Sequence, residues 1–238
     1  MKIPTIHGII ERRMLINFCI EPQYIETILP QPFRLKLYKG KAIAGICLIR
    51  LKDIKPKGLP DFIGVNSENA AHRIAVEWEE NGVTKEGVYI PRRDTSLKLN
   101  ALVGGRIFRG KHYFAKFNVI EENDDYHLDF TSSDDTQIEI DAKKSVEFNS
   151  NSIFETLNEV SKFFENGSVG YSPNGNNFEG LKLETYNWEV KPLEVLHVKS
   201  SFFEDETIFP KGSVQFDNAI LMTNIEHEWK SLEKIKCL

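Results

Sequence analysis

Residues 72–90, HRIAVEWEENGVTKEGVYI, decide the fold class. Asn81-Gly82 tolerates the positive φ values of a tight type I′ turn, and the flanking segments alternate apolar and polar residues with a period of two. They read as an antiparallel hairpin with Arg73, Ala75 and Glu77 on one face and His72, Ile74, Val76 and Trp78 on the other. With the second set on a core, the Arg73 and Glu77 face meets either solvent or a water-filled lumen, and solvent is the simpler expectation.

The pattern extends outward over most of the chain. Met14, Ile16, Phe18 and Ile20 share one face with Asn17 on the other, as in a half-buried strand. Pro22 suits a first helical position, Tyr24, Ile25 and Ile28 follow at helical spacing, and Pro30 forbids continuation, so 22–29 reads as a short helix. Leu35 and Leu37 alternate with Lys36, and Lys39-Gly40 turns into an apolar strand over 42–51. Aperiodic and rich in proline and glycine, 53–67 reads as a loop crossing between sheet edges, placed to act as a rim or lid. A helix is expected over 95–103, capped by Asp94 or Thr95 and ended by Gly104-Gly105. Strands are expected at 113–122, 126–132, 136–140 and 143–149. Ser152 and Glu155 form a capping box for a helix to Phe164, and strands return through 183, 190–198 and 214–225. The fold class is α+β, mainly antiparallel β, a barrel with about three short helices. No repeat or linker divides residues 1–238, which read as one domain.

Composition narrows the function classes. The 238 residues include 16 Phe, enough for an aromatic-rich core without disulfide or metal staples. A net charge of −5 makes nonspecific nucleic-acid binding unexpected. Three scattered cysteines, Cys19, Cys47 and Cys237, offer no CxxC pair and suit a reducing cytoplasm. Charged residues from Glu11 to Arg13 interrupt the N-terminus before a signal-length apolar run, and no stretch approaches the roughly 20 apolar residues of a membrane span, so no membrane partner is expected.

The hairpin sets Glu68-Asn69-Ala70-Ala71-His72-Arg73 beside Ile90-Pro91-Arg92-Arg93-Asp94-Thr95, so their polar groups are expected to converge. Guanidinium forks bind carboxylate or phosphate bidentately, and Arg73, Arg92 and Arg93 beside Glu68 would build an anion-binding corner. The plainer alternative is that Arg92 and Arg93 pair with Asp94 and nearby acids. The histidines show neither HxH nor HExxH spacing, and GxSxG, P-loop and GxGxxG patterns are missing, so neither metal nor cofactor is expected.

LPQPFRLKLYKGKAIAGICLIRLKDIKPKGLP (29–60), ENAAHR (68–73), IPRRDT (90–95), GGRIF (104–108), HYFAKF (112–117) and Tyr186-Asn187-Trp188 together resemble the YqjF-like family of unknown function (DUF2071), a distant branch of the acetoacetate decarboxylase superfamily. The likeness runs from about residue 12 to 229 and implies a cone-shaped antiparallel barrel around a polar cavity. In acetoacetate decarboxylase a Gly-Phe-Pro-Lys-Lys run supplies, with its first lysine, the amine that forms a Schiff base with the β-keto acid. Matched residue by residue, that run falls on Gly110, Lys111, His112, Tyr113 and Phe114. Tyr113, which cannot form an imine, thus stands at the nucleophile position. Lys111 shares a strand side with Tyr113, Ala115, Phe117 and Val119 and is the alternative amine. The relatives' assisting acid corresponds to Glu68 or to Asn69, and Arg73 matches the arginine of that strand.

The leading expectation is therefore a cytoplasmic barrel that binds a small carboxylate or other anionic metabolite in an internal pocket. Tyr113, Lys111 and Glu68 are the candidate catalytic groups, and Arg73, Arg92, Arg93, His112 and Asn69 the ligand-binding ones. The alternatives are a lyase (decarboxylase, aldolase or dehydratase) acting on small keto or hydroxy acids through Lys111, and a non-catalytic module presenting SPNGNN (172–177) and the 53–67 loop. Acetoacetate decarboxylase activity itself is not expected, and a homo-oligomer is left open.

Overall fold

The computed structural model describes residues 4–98 and 112–237, with Asp61 as backbone only. Strand β1 (Ile6–Ile20) leads through helix α1 (Pro22–Ile25) and a 3-10 turn (Glu26–Ile28) to β2 (Arg34–Leu35), β3 (Leu37–Tyr38) and β4 (Lys41–Pro56). The hairpin follows as β5 (Val65–Glu80) and β6 (Val83–Thr95), then β7 (His112–Glu122), β8 (Asp125–Ser132) and β9 (Gln137–Lys144). Helix α2 (Leu157–Asn166) precedes β10 (Val169–Asn174), β11 (Asn177–Thr185), β12 (Lys191–Ser200), β13 (Val214–Ser231) and β14 (Ile235–Lys236). Glu80 pairs with Val83 across a two-residue turn, with Asn81 at φ 53° and Gly82 at φ 76°, the geometry that the Asn-Gly pair signals.

All strands join one mainly antiparallel sheet that closes on itself twice. One ring runs β6-β7-β8-β9-β12-β13-β1-β4-β5 and back to β6; the other runs β6-β10-β11-β13-β1-β4-β5 and back to β6. The strands β13, β1, β4, β5 and β6 form a wall common to both. Met14, Ile16, Phe18 and Ile20 face the first ring, packing with Leu128, Phe130, Ile138 and Ile140. Leu15, Cys19, Ile43 and Ala75 face the second, under Val160, Phe163 and Phe164 of α2. The half-buried strand expected over 14–20 is thus buried on both faces. Two-sided burial also explains why 42–49 is apolar at every position instead of alternating.

Where β5 meets β6, His72 pairs with Arg92 but Ile74 pairs with Tyr89, so β6 carries a bulge at Ile90-Pro91. Proline, which has no N–H to donate, is tolerated at such a position. The extra residue reverses the alternation: Tyr89 and Arg92 face the first ring, and Arg93 faces the second.

Other expectations need correction. Strand β4 runs to Pro56, and the segment after it closes an antiparallel hairpin with β5 instead of crossing between edges. Residues 145–149 are not a strand. The helix cap falls at Thr156, whose hydroxyl accepts from the Glu159 N–H, while Ser152 donates to Asp217. Asp94 is a buried strand residue, not a cap; Thr95, the alternative, accepts from the Leu97 N–H at 3.2 Å. Lys98 is helical, and the rest of the helix expected over 95–103 and its Gly104-Gly105 end lie outside the described residues. No described helix is long and apolar enough to cross a membrane.

Candidate functional site

Register across the wall sets Leu15, Cys47, Ala71 and Arg93 in one row and Asn17, Gly45 and Arg73 in the next. Arg13, Ile49 and Asn69 form a third row. Arg13, Cys47, Asn69, Arg73 and Arg93 line a cavity of about 120 Å³ between the wall, β10–β11 and the residues that follow α2. His112, paired with Arg93, lines it as well. Apolar voids of roughly 150 Å³ hold benzene, so a ligand of a few heavy atoms fits. Because Gly45 has no side chain, Arg73 reaches across β4 and donates to Oδ1 of Asn17, which in turn donates to Asn218 at 2.8 Å. A Cβ at Gly45 would press on the Ile16 carbonyl oxygen. Gly45→Ala is therefore expected to cost about 1–3 kcal/mol in urea denaturation, the usual penalty of overpacking.

The cavity is rich in arginine, and Asp94, the carboxylate residue among those that line it, has its oxygens engaged by Arg92 and Ser132. Arg73 is 4% exposed, its Nε has no hydrogen-bond partner, and its guanidinium lies 4.2 Å from the Phe164 ring centroid. Arg93 donates to Ser172 Oγ at 3.1 Å. Among the described residues Arg13 has no partner at Nε and the Met222 sulfur, at 3.8 Å, as its side-chain acceptor. Among the described residues none of the three has a carboxylate within 4.0 Å. Burial pushes Arg73 down to about 9, with Cys47 opposing and Arg13 adding to the shift. Burial likewise brings Arg93 to about 10, again opposed by Cys47. Both stay cationic at neutral pH.

The other face of the same strands is a neutralised network. Arg92 binds Asp94 at 2.6 and 3.0 Å and Asp134 at 2.6 and 2.7 Å, and Ser132 also donates to Asp94. Arg92 favours the charge of both carboxylates, and unequal burial separates them. Burial holds fully enclosed Asp94 above the usual carboxylate range despite Arg92, whereas hydrogen bonding to Arg92 brings the half-open Asp134 down to about 2. Tyr113 lies with its ring centroid 4.1 Å from the Arg92 guanidinium. Glu68 accepts from Arg12 at 2.5 Å and from Arg50, and Glu121 accepts from Arg12 and forms an ion pair with Arg50 at 3.1 Å. His72 is fully buried against Phe202, with centroids 4.6 Å apart, and neither ring nitrogen has a partner.

The single corner expected around Glu68, Arg73, Arg92, Arg93, His112 and Tyr113 therefore divides. Arg73, Arg93, His112 and Asn69 gather at the cavity; Glu68, Arg92 and Tyr113 lie on the opposite face, and Lys111 falls outside the described residues. Arg73 does not face solvent, because α2 covers it. For Arg92 the plainer reading, pairing with acids, is the observed one. Sequence reasoning missed Arg13 and Cys47. For Arg13 the signal was positional, because it shares a face of β1 with Asn17. No described cluster of His, Cys, Asp and Glu could hold a metal.

The fold is that of the acetoacetate decarboxylase-like proteins. Acetoacetate decarboxylase from Legionella pneumophila superposes with a TM-score of 0.60 at 13% identity, covering 96% of this chain and 87% of that one. An acetoacetate decarboxylase-like enzyme from Sphingomonas wittichii gives 0.58 at 7% identity, covering 99% and 94%. The enduracididine biosynthesis enzyme MppR, complexed with pyruvate, gives 0.56 at 8% identity, covering 100% and 92%. At these identities the likeness establishes the fold alone. The chain belongs to the DUF2071 family, described as an uncharacterized conserved protein, which matches residues 10–221. No curated protein matches it in sequence.

Proposed function

We propose that the protein binds a small carboxylate or other oxyanionic metabolite in the cavity lined by Arg13, Arg73 and Arg93, without forming an imine. The carrying observation is Arg73, a buried guanidinium lining the cavity with no carboxylate partner among the described residues. Burying an unpaired charge costs several kcal/mol, and an anion held by a guanidinium fork recovers part of that cost. Asn69 and His112 add polar groups to the same lining. The pyruvate complex of MppR supports a small keto acid as the ligand class. On the family resemblance Tyr113 takes the place of the imine-forming lysine, and both it and Glu68 stand on the face away from the cavity, which favours binding over decarboxylation.

Thermal denaturation with a panel of small carboxylates, pyruvate and acetoacetate included, is the test. A ligand at a hundred times its Kd adds about 2.7 kcal/mol of stability. Arg73→Met and Arg93→Met are expected to abolish the shift, whereas Arg50→Gln, in the neutralised network, keeps it. Native protein that no carboxylate or phosphate stabilises ends the reading.

A further inference from the structure

We infer that Cys47 is a cavity nucleophile for small carboxylates whose electrophilic carbon adjoins the carboxylate group, such as α-keto acids. The inference rests on the anion-binding reading above and names the substrate class of that cavity. Cys47 and Arg73 line the same cavity, Cys47 lies in the row of Arg93 across Ala71, and Gly45, two residues before Cys47 on β4, pairs with Arg73. Arg73 is the independent observation that points to a ligand: it is 4% exposed, lines the cavity, and has an Nε without a partner. The cysteine sulfur is the nucleophile of the side chains that line this cavity.

The contrast with Cys19 is instructive. That thiol is also buried and also faces the second ring, but burial first and Asp217 next push it up to about 12. Two buried cysteines of one wall thus sit in opposite electrostatic surroundings, one by a carboxylate and one among arginines.

With the carboxylate held by the arginines, an α-keto carbon can meet the sulfur. The sulfur electron pair forms the C–S bond, the carbonyl π bond opens onto oxygen, and the thiol proton passes to that oxygen. The product is a hemithioketal, with no change in oxidation state and no other reactant.

The test compares anionic iodoacetate with neutral iodoacetamide on the folded native protein, reading Cys47 and the exposed Cys237 by peptide mass spectrometry. Both reagents form the same kind of C–S bond and expel iodide, the thiol proton going to solvent, so charge is what distinguishes them. The iodoacetate-to-iodoacetamide rate ratio is expected to be at least tenfold higher at Cys47 than at Cys237. Pyruvate is expected to slow labelling at Cys47 alone, and Arg73→Met to erase the preference. An unlabelled Cys47, or a ratio equal to that of Cys237, overturns the inference. If a carboxylate or phosphate of the panel still raises the melting temperature in that case, the thiol role falls and the anion cavity stands; if none does, both fall.

Discussion

Asp94→Ala is expected to lower the free energy of unfolding by about 3–5 kcal/mol, the cost of removing one partner from a buried ion pair. Asp94 is 0% exposed and takes two hydrogen bonds from Arg92 and one from Ser132. Its loss leaves the buried part of the Arg92 guanidinium facing only the more open Asp134, and strands the Ser132 hydroxyl. Asp134→Ala removes the exposed partner of the same arginine and is expected to cost about 0–1 kcal/mol. Asp94→Asn should fall between, because it keeps the shape and part of the hydrogen bonding while losing the charge. Urea denaturation followed by circular dichroism ranks the three. Equal losses for Asp94→Ala and Asp134→Ala would contradict the unequal burial of the two carboxylates.

Acidification supplies the second large effect. Burial, with Arg92 adding to it and Asp134 opposing, brings His72 down to about 3, and burial brings His227 down to about 4. In the unfolded chain both titrate near 6.5. Above that pH both forms are neutral and the stabilisation is fully present; below it the unfolded chain takes up two protons that the native one refuses. Each histidine then costs on the order of 1 kcal/mol per pH unit between about pH 6.5 and 5. Two groups act with the opposite sign, because their folded pKa values are raised: Asp94 by burial and His127 by its hydrogen bond to Asp141. The difference between native protein and His72→Phe isolates one histidine. Phenylalanine suits the site, whose walls are Phe202 and Phe203. The variant is expected to lose about half of the histidine-driven slope in melts at pH 7, 6 and 5, and an unchanged slope would show that His72 is protonated in the native state.

Much of the hairpin was legible because its determinants are local. Asn81-Gly82 specifies its own turn, and period-two alternation assigned Ile74, Val76 and Trp78 to one face correctly. What alternation cannot say is whether the opposite face is covered. For Arg73 the cover comes from α2, distant in sequence, so solvent was the simpler expectation for it. The bulge at Ile90-Pro91 is a second limit. Arg92 and Arg93 are neighbours in any strand, but the inserted residue decides which of them enters the cavity, and only pairing with β5 reveals it. The structure therefore brings Arg73, Arg93, His112 and Asn69 to one cavity and places Arg92, Tyr113 and Glu68, expected beside them, on the other face.

Five strands serve two interiors at once, and along their middle lengths there is no outside. A hydrophilic substitution there finds no water on either flank, so tolerance to sequence change should concentrate on the peripheral strands β8, β9 and β12, whose outward positions are hydrated. His72 and Arg73 stand one peptide apart in different chambers. Any displacement of that peptide is registered in both compartments, because they are built on the same length of backbone.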